Sequence, residues 1–479
     1  MASHFYRFRS LRHILSEYQE LEKQEIYFAI LAELNDPMEG FTDIFWQGDE
    51  IVWENLFRHY VVCLERACGL LALVGENGHF NWDYIPIIHF NDPSLTPQHK
   101  ALHNEILQIL FSDGNVRSFI AELTAREKPI RRSELRAHLQ IFHLLALSAI
   151  YQCYTLNGLM ADQPFIANLQ EKSRDALSLA RKSIALMKQI ETEHPHLEHA
   201  TDTFFTFRRL LDKQLKLINH YNGVFDSTKE NKVFVFVNFC DEYVDKIETL
   251  VYPPWYVACF MENCHDSSVW GSYGDKHTGV CLKFKADLKE DKSFIKLRRM
   301  NGFTGDNPIY EDVEHSFFKV DYTKGHVQVD FFKSISRLPI PTLKKYWYYD
   351  QNGKQSPCGD DIFKSPDVWR KRYWEDFFLA ASCKLQAWSY EQEYRLILPW
   401  NEFNDFSSKD GRKVTYDFSY LEGIIFGIMT PMKEKMEICK IIEEKCRKHS
   451  RTDFKFYQAY YSPEKGIIEH HEMGLLKFK

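Results

Sequence analysis

Long hydrophobic runs are scarce in this 479-residue chain. The most apolar one, Leu139-Gln140-Ile141-Phe142-His143-Leu144-Leu145-Ala146-Leu147, falls short of the roughly 20 residues that a membrane-spanning helix needs. The first residues, Met1-Ala2-Ser3-His4-Phe5-Tyr6-Arg7, contain no apolar leader segment, so no signal peptide is expected. Excess positive charge is missing too. Lysine and arginine total 60 against 67 aspartates and glutamates, a formal charge of −7. Affinity driven by global phosphate neutralisation is not indicated, although a local basic groove is compatible with that balance. Regular cysteine spacing is absent. Eleven cysteines, an odd number, fit a reduced, cytoplasmic protein.

Familiar catalytic punctuation is lacking as well. No Gly-x-Ser-x-Gly elbow, no P-loop and no Gly-x-Gly-x-x-Gly occurs, which disfavours acyl transfer, P-loop chemistry and Rossmann dinucleotide binding. Metal signals are weak. Cys259 and Cys264-His265 come from one strand and its turn, without a second pair. His194, His196 and His199 crowd around Pro195, where a solvated loop accounts for them. His470-His471-Glu472 lacks His-Glu-x-x-His spacing. The expectation is no metal.

What the chain does have is aromatic residues, 15% in all, with 37 Phe and 25 Tyr. They suit thick cores or stacking surfaces and do not choose between them. Its length implies two or more folding units. Phe5-Tyr6-Arg7-Phe8-Arg9 reads as a strand with Tyr6 and Phe8 on one face, Arg7 and Arg9 on the other. Ser10 is a candidate cap for a helix over residues 11–21. Glu25 to Ile30 reads as a second strand, running into the turn Asn35-Asp36-Pro37-Met38-Glu39-Gly40.

From about residue 50 to 250, helical periodicity dominates, in seven segments with short connections. No fixed-period repeat argues for a solenoid. Strands return at Trp255–Met261, 269–277, 279–284 and 317–322. Residues 323–365 are irregular. A helix over 368–385 leads to the stretch Trp388-Ser389-Tyr390-Glu391-Gln392-Glu393-Tyr394-Arg395-Leu396-Ile397-Leu398. As one strand it sets Tyr390, Tyr394, Leu396 and Leu398 on one face and Glu391, Glu393, Arg395 and Ile397 on the other. Two close carboxylates raise each other's pKa, which Arg395 partly offsets. The plain alternative is a solvated outer face with a local ion pair. Thr430-Pro431 reads as the capped start of a last long helix, followed by two strands.

Five patches, in this order and spacing, resemble a mostly bacterial family, the Domain of Unknown Function twenty-nine-seventy-one. They are Tyr6-Arg7-Phe8-Arg9; Asn35-Asp36-Pro37-Met38-Glu39; Trp270-x-x-Tyr273 with His277-x-Gly279-Val280-x-Leu282-x-Phe284; Trp388-x-Tyr390-Glu391-x-Glu393-Tyr394-Arg395-Leu396; and Ile425-Phe426-Gly427. Leu34 and Gly271 depart from the family's usual Phe and larger polar residue. That family is remotely similar to the ADP-ribosyltransferase superfamily, through its basic or aromatic first strand, its aromatic middle motif and its late glutamate strand.

The resemblance covers residues 1–48 and about 251–430, is silent on the helical middle, and implies a small mixed or antiparallel split β-sandwich. Joined to the helical periodicity, it gives an α+β fold: a discontinuous domain over residues 1–48 and 251–479, interrupted by a helical bundle insertion over 49–250. It implies NAD as substrate, with Glu391 and Glu393 catalytic in cleaving the nicotinamide–ribose bond, by ADP-ribosyl transfer or hydrolysis. Tyr6, Arg7, Arg9, Asn35, Asp36, Trp270, Tyr273 and Arg395 then line the cofactor site. Arg7 or Arg9 would hold pyrophosphate, Trp270 or Tyr273 would stack on a ring, and Asn35 and Asp36 would bind ribose or shape the loop. Arg395 would orient Glu393 or meet phosphate. A toxin-like role in bacterial defence follows from the same resemblance, with a protein or nucleic-acid acceptor and a partner for the helical insertion. The rival readings are a non-catalytic nucleotide or nucleic-acid binding module and a purely structural interaction protein.

Overall fold

The computed structural model describes residues 3–79, 82–85, 87, 96–161, 164–194, 199–224, 226, 228–400, 403 and 406–476. The histidine-rich junction at residues 195–198 and the second Asn-Asp-Pro at 91–93 lie outside the described residues. The fold class is α+β. Contacts divide the chain into two units, one of residues 1–42, 254–327 and 374–479, the other of 43–253 and 328–373.

The first unit is built on a curled, mixed sheet of 12 strands. Its middle runs Leu421–Phe426, Val280–Lys285, His4–Arg9, Trp255–Met261, Glu393–Pro399 and Asn307–Lys319. The N-terminal strand therefore lies inside the sheet. Along its whole length it pairs antiparallel with Val280–Lys285, from His4 opposite Lys285 to Arg9 opposite Val280. Side-chain alternation splits this unit's interior in two. Phe260, Leu282, Ile424, Leu396 and Leu398 face one core, which the C-terminal helix Met432–Lys448 covers with Ile438 and Ile442. Met261, Cys281 and Ile425, their sequence neighbours, face the other core with Phe8 and Trp270.

Several local expectations change. Residues 267–272 form a short helix rather than a strand, because Asp266 caps it by accepting from the Ser268 and Val269 amides. A left-handed turn follows, with φ of 50°, 54° and 67° at Asp275, Lys276 and His277. Gln386–Glu391 is a 3₁₀ helix, and Gln392 at φ 47° breaks it before the strand begins at Glu393. Of the long hairpin of Lys292–Thr304 and Asn307–Lys319, only the end at 317–319 falls within an expected strand. After Ser10 comes one π-helical turn, Arg12–Ser16, and then the short helix Glu20–Lys23. Pro431 sits at the N-cap of the C-terminal helix without a side-chain bond, while the Thr430 hydroxyl donates to the Gly279 carbonyl.

The second unit is largely helical, with Glu50–Val74, Pro97–Ser112, Gly114–Thr124, Arg132–Leu156, Pro164–Glu193 and Ala200–Tyr221 close to the periodicity-based boundaries. Residues 328–373 pack with it, and Gln328–Asp330 pairs with Asp43–Trp46 in a small three-stranded sheet. Helix Arg132–Leu156 is long and apolar enough, by length and composition, to cross a membrane. Most of its apolar window is buried within the unit, as in a core helix of a globular bundle.

Candidate active site

The N-terminal strand meets Trp255–Met261 at a single register pair, Tyr6 opposite Met261, and the two then part. At its other end, Trp255–Met261 takes a different neighbour, through the bridge between Val257 and Ala29. A cleft of about 430 Å³ opens where the strands separate. Consecutive residues line it from each strand, Arg7, Phe8 and Arg9 on one and Val257, Ala258 and Cys259 on the other. Strands joined side by side expose only alternate side chains per face. Consecutive lining residues therefore place the cleft at the parted strand edges.

Arg7 lies in this gap, 5% exposed. It donates to the Tyr27 carbonyl at 2.9 Å and to the Cys259 carbonyl at 3.4 Å, and its ring neighbour is Phe260. Among the described residues no carboxylate pairs with it, and its Nε–H has no partner. Burial pulls its pKa down to about 10, with the nearby charge of Arg9 adding to the effect. Arg9 is committed differently, in a two-point ion pair with Glu20. His13, Tyr18 and Tyr27 line the same cleft as a stacked column, with centroids 4.9 and 5.1 Å apart.

Another part of the cleft wall presents Glu39, Lys384 and Tyr273. These are the outer members of a buried charge cluster. The Lys384 ammonium lies 2.7 Å from Glu391, 2.9 Å from Glu39 and 3.2 Å from Glu393. Arg395 donates Nε to Glu393 Oε1 at 2.8 Å, Nη1 to the Ala381 carbonyl at 3.0 Å, and Nη2 to both Glu393 and Glu39. The Tyr273 hydroxyl donates to Glu391 Oε1 at 2.7 Å. The Tyr322 hydroxyl accepts from the Glu393 amide at 2.9 Å.

Three carboxylates thus face two cations, leaving one negative charge in excess. Burial raises the pKa of Glu391, with Lys384 and Tyr273 opposing the rise. For Glu393 burial also pushes upward, but the Arg395 guanidinium and the Lys384 ammonium prevail and hold it at about 2. Adjacent acids driven in opposite directions are the arrangement that separates a proton-holding group from an ionised one. Burial alone would discharge Lys384; Glu393 and Glu39 reverse that and keep it protonated.

The expected residues divide accordingly. Arg7, Arg9, Asn35 and Tyr273 all line the cleft. Glu391, Glu393 and Arg395 are buried behind its wall, bonded to the groups that form it. The solvated outer face does not occur. Trp270 is fully buried in the second core, donating Nε1 to the Cys264 carbonyl, so it offers no ring to a ligand. Tyr6 packs against the same core, and Asp36 accepts from the Met38 amide at 2.9 Å to form the turn. Glu39 and Lys384 were not singled out from sequence. Glu39 stands in the Asn-Asp-Pro-Met-Glu patch, which was the available signal. Lys384 carries none, since a lysine at a helix end reads as solvated.

Cys259 lines the cleft. Cys264 and His265 instead gather His470 from the C-terminal strand, within 4.8 Å of one another. No curated protein and no solved structure matches the chain. Residues 269–396, which carry Tyr273, Lys384, Glu391, Glu393 and Arg395 but neither Arg7 nor Glu39, match the family described as "Protein of unknown function (DUF2971)".

Proposed function

We propose that the sheet unit binds a dinucleotide of the NAD type in the gap between its parted strands and cleaves the nicotinamide–ribose bond. The observation that carries this reading is one cleft lined both by a buried guanidinium without a counter-ion and by a wall of clustered carboxylates. A buried cation lacking a partner favours an anionic ligand, and a phosphate oxygen suits the fork of Arg7. The aromatic column offers ring faces to a base. A strand pair that opens around its ligand also agrees with the split sheet implied by the ADP-ribosyltransferase resemblance.

As nicotinamide leaves, positive charge grows on the ribose, and a nearby carboxylate stabilises that state more than the ground state. In this reading Glu39, which lines the cleft, meets the ribose. Glu391 and Glu393 act as positioning residues, holding Lys384, Tyr273 and Arg395. The test follows nicotinamide release from NAD by chromatography. Glu39→Gln is expected to slow release about 100-fold or more, the usual loss for one transition-state contact. Arg7→Met is expected to raise KM with a smaller effect on kcat. No release by the wild-type chain, and no labelled product in a lysate rich in protein and nucleic acid, would sink the proposal.

One observation favours a second reading, a nucleotide-binding module without turnover. All four carboxylate oxygens of Glu391 and Glu393 already accept hydrogen bonds. Tight nucleotide binding that is indifferent to Glu39→Gln, with the nucleotide recovered intact, would select it.

A further inference from the structure

The helical unit contains a side-chain cluster unrelated to the cleft. Glu65, on Glu50–Val74, is 2% exposed on a helix face otherwise made of Val61, Leu64 and Cys68. Facing it are His99 and His103, one turn apart on Pro97–Ser112 and in line with the buried Ile106 and Leu110. Helical spacing puts all four on one stripe, so two imidazoles occupy positions where core side chains would otherwise sit. His99 Nε2 lies 3.2 Å from Glu65 Oε2, and His103 Nε2 bonds the same oxygen. The three ligand atoms all lie within 4.8 Å of one another. A tetrahedral ion with the usual zinc–nitrogen and zinc–oxygen bonds holds its donors roughly 3.3–3.5 Å apart.

The surroundings support the same conclusion. The Tyr154 hydroxyl donates to Glu65 Oε1 at 2.8 Å and so orients the carboxylate; Oε2 faces His103, while His99 Nε2 lies near both oxygens, 3.3 Å from Oε1 and 3.2 Å from Oε2. A hydrogen bond of this kind behind a ligand is the usual outer support of a metal centre. Among the described residues no lysine or arginine pairs with Glu65; its ionic partners are the two histidines. Neither carries the permanent charge of a lysine or arginine, so a buried carboxylate stands without a fixed counter-ion. A divalent cation would supply that charge and find three ligands already converged.

We propose that Glu65, His99 and His103 form a binding site for a zinc-class divalent cation, tying Pro97–Ser112 to Glu50–Val74 and leaving one coordination position open. The experiment uses the full chain without a histidine tag, stripped with a chelator and titrated with Co(II) and Zn(II). Expected are one bound equivalent of metal, weak visible Co(II) bands without an intense thiolate band, and a Zn(II)-dependent rise in melting temperature. His99→Asn and His103→Asn are each expected to weaken binding by about 100-fold or more, and Cys264→Ser to leave it unchanged. Zinc-edge X-ray absorption of the wild-type chain serves as the check that needs no variant, and only nitrogen and oxygen ligands are expected. Absence of uptake, uptake unaffected in the double histidine variant, loss of uptake in Cys264→Ser, or sulfur in the absorption spectrum would each overturn the site.

Discussion

Glu393 and Glu391 differ in acid behaviour because their cations are distributed unequally. Glu393 meets both Arg395 and Lys384 and is held at about 2, below the ordinary value of 4.5. A depressed carboxylate contributes stability that is complete above its unfolded pKa and fades as pH falls. The urea midpoint of the chain is therefore expected to drop between about pH 4.5 and pH 2, and Glu393→Gln should flatten that part of the profile. Glu391, raised by burial, works in the opposite sense and favours the folded state as its proton is taken up. Arg395→Met strips the guanidinium from Glu393 and Glu39 at once. Its expected cost is about 3–5 kcal/mol, the penalty for leaving buried charge unpaired, read from urea denaturation at neutral pH. Conservative Glu391→Gln keeps the shape and the Tyr273 contact, so the expected cost is about 1–3 kcal/mol.

At the scale of elements, the turn beside the cleft carries the local strain. Asp275, Lys276 and His277 all take left-handed backbone, at roughly 1–2 kcal/mol each for a non-glycine residue. It is pinned by the amide of Lys276 on Gly271 and of Gly279 on Gly274, while Asp275 lines the cleft. Lys276 is exposed, so Lys276→Gly should raise stability by about 0.5–1 kcal/mol in the same urea assay. Three residues on, Gly279→Ala should have the opposite sign. A Cβ there would lie 2.5 Å from the Arg9 carbonyl and 2.9 Å from that of Gly274. Backbone lies on both sides, so the end of the N-terminal strand must shift, at about 1–3 kcal/mol.

These elements also mark what the sequence could disclose. Ala200–Tyr221 and its helical neighbours were legible because an amphipathic period repeats over many turns. Alternation at Leu396 and Leu398 gave the core face of the acidic strand. Residues 269–277 misled, since aromatic and β-branched residues there suggest a strand while the Asp266 cap, a single side chain, nucleates a helix. The hairpin at 292–319 was missed where its outer half is exposed on both faces, Phe303 and Tyr310 included, so burial imposes little alternation to read. The charge cluster was half legible. Glu391, Glu393 and Arg395 stood out as neighbours in sequence, whereas Glu39 joins them from 356 residues away, by its contact with Arg395.

Considered whole, the sheet unit is assembled from three stretches of chain, with the helical unit's residues between them. The matched stretch 269–396 lacks the N-terminal strand, most of the cleft and the C-terminal helix that covers one core. Expressed alone it is expected to remain unfolded, with a collapsed amide proton spectrum, while the full chain gives a dispersed one. A dispersed spectrum from the fragment would refute the idea that the strands depend on one another.

The parted strands have a consequence in time. Arg7 and Cys259, whose gap forms the cleft, are 252 residues apart. At typical rates of synthesis, roughly 5–20 residues per second, the first strand leaves the ribosome many seconds before its sheet neighbours exist. A nascent chain therefore carries its guanidinium long before there is a pocket to hold it in. A chain that ends before Glu391 carries Arg7, Glu39 and Lys384 but lacks the two carboxylates of Glu391 and Glu393 that hold the Lys384 ammonium, so the wall of the cleft is completed only once most of the message has been read.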